Sequence, residues 1–383
     1  MSNPDILGIL GFIIFLLFIL LALFLLTVKT KNKMSNKLLA SFLIVTAIDI
    51  SAFFYYRYIE LPPVLEMLRI QLSNFKDPIL FLYFLSIIYA DFKLQRKHLV
   101  HLAPWAISII VLIPNFFMVD RTSQSLFLDA YWQTSEQKWL SIFGTTLEVV
   151  YIVAELYYLF RYRKLLLENF TGKAYFYNYR WIKQLMIFIL IAQLLTFIKG
   201  IVVKSDASEK NADLAFIILL CYGLFFSFWL VWKALHSPKL FRGITVDLKL
   251  SKELINERKS KEDLSKETKQ QIEVLKDFMV KKEPYLDPSL TVQKLSEQSG
   301  IPSKQLSVLI NQHLGQHFFD FVNGYRIDCA TKILSDPTKK DLTILEILYE
   351  IGFNSKSSFN TAFKKHTGTT PTAYRKNNLV SDL

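Results

Sequence analysis

Cysteine and glycine are scarce in this chain, and their scarcity excludes several classes of protein. Two cysteines, Cys221 and Cys329, occur among 383 residues, and neither has a second ligand at metal-binding spacing. A disulfide framework is therefore excluded, and we expect no metal site. With 12 glycines in the whole chain, there is little material for a glycine-rich loop that cradles phosphates. We expect no cofactor.

Charge is also sparse and is unevenly spread along the chain. Hydrophobic residues make up 52% of the sequence and charged residues 20%, and the mean hydropathy is +0.27. Residues 1–235 contain 22 Lys or Arg and 15 Asp or Glu, whereas the shorter segment 236–383 contains 23 and 18. This distribution excludes an ordinary soluble protein and indicates an oily membrane half followed by a polar half.

Several stretches of the first half are apolar over roughly 20 residues, which is the length of helix that crosses a bilayer. The first stretch contains no charge and is followed by lysines instead of a cleavage site, so we predict a span and not a signal peptide. The seven predicted spans are residues 6–28, 37–57, 72–92, 99–118, 140–160, 183–203 and 213–235.

Basic residues in the short loops predict the orientation of these spans. With the N-terminus outside, the inner loops hold 13 Lys or Arg in 40 residues, and the outer loops hold 7 in 49. Because basic residues concentrate on the cytoplasmic side, we predict a multi-pass protein of the inner cell membrane with its N-terminus outside. An odd number of spans then leaves residues 236–383 in the cytoplasm, and one span fewer would reverse that conclusion.

Four polar residues lie within the predicted spans, namely Asp49, Glu148, Glu155 and Gln193. Glu148 and Glu155 are seven residues apart and therefore share one helix face. An ionisable side chain at membrane depth is costly and normally faces a protein interior or a water-filled cavity. Two interpretations stay open: the four residues line the ligand pocket of a sensor, or they are hydrogen-bonding groups between helices.

A charged segment joins the two halves. Between Leu248 and Glu283, 18 of 36 residues are charged with both signs mixed, which is typical of a solvated helix or a flexible tether. A coiled-coil seam is not sustained, because charged residues such as Glu257 and Lys261 occupy its core positions. We divide the chain into a transmembrane sensor region of residues 1–235, a juxtamembrane linker of residues 236–267 and a C-terminal domain of residues 268–383.

The C-terminal domain contains an internal repeat. Each copy has the pattern of a helix-turn-helix: a short apolar helix, a turn with glycine, and a second helix of about a dozen residues. Between the copies, Phe318 to Ser335 has the apolar spacing of a long helix with one buried face. The repeated positions are Leu290, Thr291, Leu295, Gly300 and Ser303, which recur 52 residues later, and Leu306, Ile310, His313 and Gly315, which recur at an offset of 53.

Basic residues separate a DNA-binding domain from a plain helical bundle. Between Ile351 and Ser381 the sequence has five basic residues and no acidic one. Phosphate contact requires a local positive surface, so this segment favours nucleic acid as the partner. The alternative is that these basic residues only solvate the surface of a bundle.

Two motifs of the C-terminal domain are specific enough to indicate a family. They are FFDFVNGYRI from Phe318 and GFNSKSSFNTAFKKHTGTTPTAYR from Gly352, supported by Leu290-Thr291 and Leu306-Ser307. With these motifs, residues 270 to 377 resemble the DNA-binding domain of the AraC/XylS family of bacterial transcription regulators. The resemblance implies two helix-turn-helix units joined by a linker helix, with both recognition helices entering successive major grooves on one face of the duplex.

The whole chain also resembles, in outline, membrane-bound members of this family with seven spans. The predicted fold class is therefore all-α. We expect a seven-helix transmembrane bundle followed by a cytoplasmic AraC-type DNA-binding domain of two helix-turn-helix units and a linker helix.

The resemblance assigns DNA contacts position by position. Asn side chains can pair bidentately with adenine, and Val can touch a thymine methyl group. Arg326 has a structural salt bridge as an equal alternative to a phosphate contact. The expected base contacts are Lys304, Ser307, Val308, Lys356, Ser357, Ser358, Asn360 and Thr361, and the expected phosphate contacts are Asn311, Arg326, Lys364, Lys365 and Arg375.

The sequence departs from the family pattern at three positions. Ser296 and Leu348 each stand where the family usually has Ala, and Leu348 is expected to crowd the packing of the second unit slightly. Pro302 occupies the usual Ser cap of the first recognition helix. We therefore expect either that Ser303 caps this helix or that Pro302 begins its first turn.

These features together predict a membrane-embedded one-component transcription regulator. Its expected partners are promoter double-stranded DNA, the lipid bilayer and an unidentified small-molecule or protein signal. Two reading helices in one domain can bind as a monomer, so a homodimer is compatible but not required. The alternative is a transporter or membrane receptor whose helical tail binds a protein partner. An enzyme is not expected, because His313, His317 and His366 have no cysteine or carboxylate at metal-ligand spacing.

Overall fold

The computed structural model describes residues 4–30, 33–89, 92–171, 176–204, 209–236 and 266–379. Helices dominate these residues, which contain no strand, and their isolated β-bridge joins Phe170 to Thr291. The expected all-α class is confirmed at this level. The chain divides into two compact units, of which the first is Met1–Leu159 with Arg180–Leu250 and the second is Phe160–Tyr179 with Ser251–Leu383.

The first unit is built from apolar helices and short connecting turns. Helices α7 and α8 continue into the second unit at the end that joins them. The helices are α1 (Pro4–Thr27), α2 (Lys33–Ile50), α3 (Pro63–Gln71), α4 (Lys76–Ile88), α5 (Ala103–Leu112), α6 (Arg121–Ala130), α7 (Ser135–Asn169), α8 (Tyr177–Lys204) and α9 (Glu209–His236).

Six helical segments of the described residues are long and apolar enough to cross a membrane, by length and composition. Each of the six overlaps a predicted span. The segment of residues 96–117 combines α5 with a 3-10 turn before it and a π-helical turn, Ile113–Phe117, after it. The six segments are Ile6–Thr27, Lys33–Phe53, Arg96–Phe117, Ser135–Asn169, Tyr177–Val203 and Lys210–His236.

The predicted third span, residues 72–92, does not form one uniform apolar helix. In its place α4 has 13 residues, a length of about 20 Å against a hydrocarbon core of about 30 Å. A 3-10 turn, Leu72–Phe75, connects α4 to α3, so helical backbone runs without a gap from Pro63 to Ile88. The charged pair Lys76 and Asp77 lies in the middle of this run and makes it less apolar than the other six.

Helix α4 lies inside the first unit, whereas the longer apolar helices expose large hydrophobic side chains. Ser35 Oγ of α2 donates a hydrogen bond to the Ser86 carbonyl at 3.1 Å, and Trp181 Nε1 of α8 donates to the Tyr83 hydroxyl at 2.6 Å. In α1, by contrast, residues such as Ile9 are more than half exposed. An exposed apolar surface of this extent is typical of helices that face lipid.

The second unit contains the C-terminal domain and two separate hydrophobic clusters. Of the predicted linker, residues 236–267, the part between residues 237 and 265 lies outside the described residues. The helices are α10 (Lys266–Lys282), α11 (Val292–Ser299), α12 (Ser303–Val308, continued by the π-helical turn Leu309–His313), α13 (Phe318–Ser335), α14 (Ile344–Glu350), α15 (Lys356–Thr367) and α16 (Pro371–Leu379).

The two clusters correspond to the two copies of the sequence repeat. In the first cluster Leu295, Leu306 and Ile310 are fully buried. In the second cluster Phe359 and Phe363 occupy the positions equivalent to Leu306 and Ile310 and are also fully buried. Helix α13 contributes residues to both clusters, as expected for a linker helix. In each helix-turn-helix unit, an i,i+4 pair of apolar residues therefore packs the second helix against the core.

The repeat is also visible in the backbone at the helix ends. Thr291 and Thr343 cap α11 and α14 with the same side-chain hydrogen bond, to the amide of the residue three positions later. Gly300 and Gly352 follow these helices with φ of 71° and 85°. At Gly352 a Cβ atom would lie 2.7 Å from the carbonyl oxygens of both Tyr285 and Leu286. Glycine is therefore required there both for its φ and for the close approach of this backbone.

We predict that Gly352→Ala destabilises the C-terminal domain much more than Gly300→Ala. Both positions have positive φ, which costs an L-residue about 1–2 kcal/mol, but at Gly300 a Cβ would meet no atom within 4 Å. Thermal unfolding of a fragment of residues 266–383 should show a Tm lower by roughly 4–15 °C for Gly300→Ala and a larger loss for Gly352→Ala. Equal losses would contradict the packing argument.

Candidate nucleic-acid interface

Helices α12 and α15 each have one buried face and one face free of core contacts. The buried faces carry Leu306, Ile310, Phe359 and Phe363. On the side of each helix that faces away from the core, residues spaced three and four positions apart share one surface. These surfaces, which together we call the reading face, consist of Lys304, Ser307, Val308 and Asn311 on α12 and its π-helical turn, and of Ser357, Asn360, Thr361 and Lys364 on α15. Lys356, the first residue of α15, is exposed beside the α15 surface.

The first reading helix presents one cation and several small side chains. Lys304 is exposed, whereas Ser307, Val308 and Asn311 are half-buried. The neighbouring Gln305 points elsewhere, because its Nε2 donates a hydrogen bond to Gln271 Oε1 of α10 at 2.7 Å. The α12 part of this surface therefore has the character of a small, weakly polar contact surface next to a single positive charge.

The start of α12 differs from both alternatives drawn from the sequence. Pro302 is the N-cap residue, and its side chain makes no capping hydrogen bond. Ser303 is the first helical residue, so it does not cap the helix, and Pro302 does not begin the first turn. In the second helix-turn-helix unit the N-cap residue of the second helix is Ser355, whose hydroxyl accepts a hydrogen bond from the Ser358 amide. The first reading helix therefore lacks the side-chain cap that the second one has.

The second reading helix is richer in polar groups. Lys356, Ser357, Thr361 and Lys364 are exposed, and Asn360 is half-buried. The Thr361 hydroxyl donates a hydrogen bond to the Ser357 carbonyl at 2.7 Å, which leaves its lone pairs available as acceptors. Ser358 is turned toward the cap, because its amide and its Oγ both interact with Ser355. Of the residues expected to contact bases here, Ser358 is the least available.

Lys365 lies beside the reading face and not on it. Its Nζ is 2.7 Å from Asp320 Oδ1 of α13, and the next residue, His366, approaches Asp328 of the same helix at 3.1 Å. The Lys365 side chain is 70% exposed, and exposed ion pairs contribute about 0–1 kcal/mol. A DNA phosphate would have to displace Asp320 to bind Lys365, so we rank this lysine below Lys364 as a phosphate contact.

Arg326 is buried, and its position contradicts the expected phosphate contact. Its side chain is 1% exposed. Its Nε donates to the Tyr285 carbonyl at 2.7 Å, its Nη2 donates to the Asp287 carbonyl at 2.8 Å, and the guanidinium lies over the Phe353 ring. Burial lowers the pKa of Arg326 to about 10, so the group stays charged at neutral pH. Arg326 therefore joins three parts of the domain and has no surface to offer to DNA.

The remaining expected phosphate contacts have polar atoms that the domain itself does not satisfy. Asn311 Oδ1 and Arg375 Nη2 are buried atoms without a hydrogen-bond partner among the described residues. A buried polar atom without a partner carries a desolvation cost of about 1–3 kcal/mol. For Arg375 a phosphate oxygen would remove that cost. Both residues are half-buried, so each has some accessible surface.

The polar residues of the predicted spans lie near two further charged residues, Lys76 and Asp77. Glu148 forms a side-chain hydrogen bond with Gln193 and interacts electrostatically with Lys76 and Asp77, and Glu155 interacts with Asp77. Asp49 Oδ2 of α2 is 2.8 Å from Lys76 Nζ at the start of α4, and Lys76 was not singled out from the sequence. Glu155 is 2% exposed, and its Oε1, like Oε1 of Gln193, has no hydrogen-bond partner in the part of the chain that is described. Glu148 is half-buried. The described residues contain no group of three or more His, Cys, Asp or Glu suited to a metal ion.

Comparison with known proteins defines the class. Residues 295–377 match the family model described as a helix-turn-helix domain. The probable transcription factor PqrA of Proteus vulgaris is 30% identical over 93 residues, which cover 24% of this chain and 74% of that protein. An uncharacterized HTH-type transcriptional regulator of Staphylococcus aureus is 37% identical over 93 residues, or 24% of this chain and 12% of that protein.

Among solved structures, the C-terminal domain of AraT, a response regulator from Geobacillus stearothermophilus, is 26% identical. The matched region covers 30% of this chain and 88% of the AraT chain, with a TM-score of 0.24. The sequence matches identify a DNA-binding transcription regulator of the helix-turn-helix type and not an enzyme. The chain belongs to the AraC family of transcription regulators, and its membership rests on the C-terminal domain.

We predict that Arg326→Met destabilises the C-terminal domain without a separate effect on phosphate binding. Each backbone carbonyl left without its donor should cost about 1–3 kcal/mol. The matched control is Lys332→Met, an exposed cation on the same helix α13, which should leave the Tm nearly unchanged. Thermal unfolding measures the loss. If the Arg326→Met domain is stable and its DNA affinity depends less on salt, then Arg326 contacts a phosphate after all, and the prediction is wrong.

Proposed function

We propose that the chain is a membrane-embedded one-component transcription regulator that binds promoter DNA through both helix-turn-helix units. The observation that carries this proposal is the reading face, where two repeated helices expose small polar and basic side chains. Among residues 351–379 no acidic residue occurs, so a phosphate backbone would meet no like charge from this segment. Lys304, Ser307, Val308, Lys356, Ser357, Asn360 and Thr361 are the proposed base contacts, and Ser358 is a weaker candidate.

The proposed phosphate contacts surround the reading face. Lys364 is exposed on it, the Arg375 donor Nη2 has no partner among the described residues, and Lys365 is ion-paired with Asp320. Asn311 would have to use its amide nitrogen, because its unpartnered atom, Oδ1, is an acceptor. Charged contacts to phosphates position the protein on the duplex, whereas the contacts to base edges give specificity. The arrangement supports a monomer that binds two successive major grooves, and a homodimer is not required by it.

The membrane part of the proposal depends on the number of crossings. DNA binding requires a cytoplasmic C-terminus, and with the N-terminus outside this demands an odd number of spans. We propose that α3 and α4 together form the seventh crossing, because their continuous helical run of residues 63–88 would reach about 39 Å at 1.5 Å per residue. The ion pair between Lys76 and Asp49 supports this proposal, since it compensates the charge in the middle of the run.

The signal would be sensed within the membrane region. Glu155 and Gln193 each have a buried oxygen without a partner among the described residues. Buried polar groups of this kind are costly unless a ligand, a proton or a neighbouring helix satisfies them in another state. We propose that these two residues, with Asp49 and Glu148, belong to the sensing region, where a small molecule or a protein signal would favour one of two arrangements.

The competing function is a transporter or membrane receptor whose tail binds a protein. The family membership of the C-terminal domain speaks against it, because the relatives are named as transcription factors and transcriptional regulators. A protein-binding tail would also have no need for the exposed Lys364 on the same helix face as Asn360.

We predict that Lys364→Gln weakens DNA binding and lowers the slope of log affinity against log salt by about 1. Lys365→Gln is the matched control, since its charge is already paired with Asp320. Binding of promoter DNA is measured by fluorescence anisotropy at several salt concentrations. Equal effects of the two substitutions would remove the distinction between the reading face and its neighbour.

We predict that Asn360→Ala costs about 1–3 kcal/mol of discrimination at one base pair. The loss should appear as relaxed sequence preference in selection from random DNA, with nonspecific affinity unchanged. Thr372→Ala, an exposed position on α16 outside the reading face, serves as the control. Unchanged preference in Asn360→Ala would exclude this residue as a base contact.

We predict opposite sides of the membrane for the loops before α3 and after α4. A cysteine at Glu60 should react with an impermeant thiol reagent from outside, and a cysteine at Leu94 should not, in a background without Cys221 and Cys329. Both positions are exposed. Labelling of both loops from the same side would mean that α3 and α4 do not cross, and the odd number of spans would be lost.

A further inference from the structure

A segment of the membrane half belongs to the same compact unit as the DNA-binding domain. Its described residues, 160–171 and 176–179, comprise the end of α7 and the start of α8, and we call them the α7–α8 connection. Phe170 forms an antiparallel β-bridge with Thr291. Thr171, which is 5% exposed, donates a hydrogen bond from Oγ1 to the Leu290 carbonyl at 2.9 Å. The hydrogen bond joins residues 119 positions apart in the sequence, and the bridge joins the residues on either side of them.

A second contact lies on the other side of the same connection. The ring of Phe176 packs edge-on against the ring of Phe319, with centroids 5.8 Å apart and an interplanar angle of 70°. Phe319 is in the first turn of α13, and Thr291 is the N-cap of α11. The α7–α8 connection therefore contacts the N-terminal ends of α11, the first helix of the first helix-turn-helix unit, and of the linker helix α13.

The N-terminal end of α11 is a place where DNA is expected to bind. In a helix-turn-helix the first helix crosses the DNA backbone, and the second enters the groove. The first amides of a helix have no partner within the helix, and with the helix dipole they attract a phosphate. Thr291 Oγ1 satisfies the Lys294 amide, so the amides of Val292 and Gln293 are the ones that a phosphate would take.

A phosphate oxygen must come within about 3 Å of those amides to accept a hydrogen bond. Phe170 is paired with the backbone of Thr291, the residue directly before them, and Thr171 is bonded to Leu290. A protein segment in that position and a DNA strand crossing the end of α11 would compete for the same space. A DNA strand that binds the first helix-turn-helix unit through these amides would therefore have to displace the connection.

We propose that the α7–α8 connection is an intramolecular competitor of DNA for the first helix-turn-helix unit. The inference rests on the proposed function, since it assigns a regulatory partner to the same DNA-binding domain. Because the connection is covalently continuous with α7 and α8, a shift of those two helices would move the residues that contact the first helix-turn-helix unit. When the connection is docked the affinity for DNA is low, and when it leaves Thr291 the end of α11 is open to a phosphate.

The direct test is a reversible disulfide crosslink between the connection and α11. Paired residues of an antiparallel bridge have Cα atoms about 4.5–5.5 Å apart, which lies within the range that a disulfide spans. Phe170→Cys combined with Thr291→Cys, in a full-length protein with Cys221 and Cys329 replaced by Ala, should form a disulfide on mild oxidation. The protein is purified in lipid nanodiscs, and binding to genomic DNA fragments is measured before and after reduction. The single Phe170→Cys variant is the control.

We expect the oxidised double variant to bind DNA at least tenfold more weakly than the same sample after reduction, with no redox effect in the control. Equal binding in both states overturns the proposal, and so does failure of the disulfide to form, because the contact would then not be populated. Failure of the proposed function gives a different result: neither the reduced variant nor the unmodified protein would bind any DNA.

A second variant tests the contact without a crosslink. Thr171→Val keeps the shape of the side chain and removes the hydroxyl that binds the Leu290 carbonyl, so it should raise the DNA affinity of the full-length protein about three- to tenfold. Thr146→Val is the matched control, because its hydroxyl bonds only within α7, to Ile142. A fall in affinity in Thr171→Val would mean that the docked connection supports DNA binding, and it would overturn the proposal.

Discussion

The buried guanidinium of Arg326 is the interaction on which the arrangement of the two DNA-binding units depends. It donates to the carbonyls of Tyr285 and Asp287, which precede the first unit, and it lies against Phe353 of the second unit. A charged group removed from water is stable only when its donors are satisfied, so this geometry is held tightly. Gly352 lies where a Cβ would strike the Tyr285 carbonyl, so the second unit packs closely against the same backbone. The spacing between the reading helices follows from this joint.

The membrane arrangement that we propose for the N-terminal half is subject to a different constraint, namely that the number of crossings must be odd. A reader of chromosomal DNA needs a cytoplasmic C-terminus, and six apolar helices alone would return the chain to the side on which it began. The interrupted run of α3 and α4 supplies the missing crossing in our account. Its central lysine, Lys76, pairs with Asp49 of α2 at 2.8 Å, which is how a charge is tolerated at membrane depth. Because Lys76 and Asp77 interrupt the apolar sequence, this proposed crossing is not a uniform apolar helix.

Sequence patterns predicted the C-terminal domain well, because its repeat fixes buried positions, caps and turns together. Thr291 and Thr343, for example, cap the equivalent helices of the two helix-turn-helix units, and each accepts a hydrogen bond from the amide three residues later. The patterns failed where a side chain's direction depends on distant residues. Arg326 stands on the linker helix at a position compatible with either phosphate or core, and only the nearby carbonyls decide. The docking of Thr171 on Leu290 likewise has no local signal, since the two residues are 119 positions apart.

The central claim is that a chain anchored in the membrane reads specific DNA sequences through its repeated helices. Genome-wide crosslinking of the full-length protein in its own cells tests this claim most directly, with a variant carrying Asn360→Ala and Lys364→Gln as the control. The account predicts a small number of sharp sites that share a sequence and disappear in the variant. Sites that persist unchanged in the variant, or enrichment spread evenly over the chromosome, would contradict it.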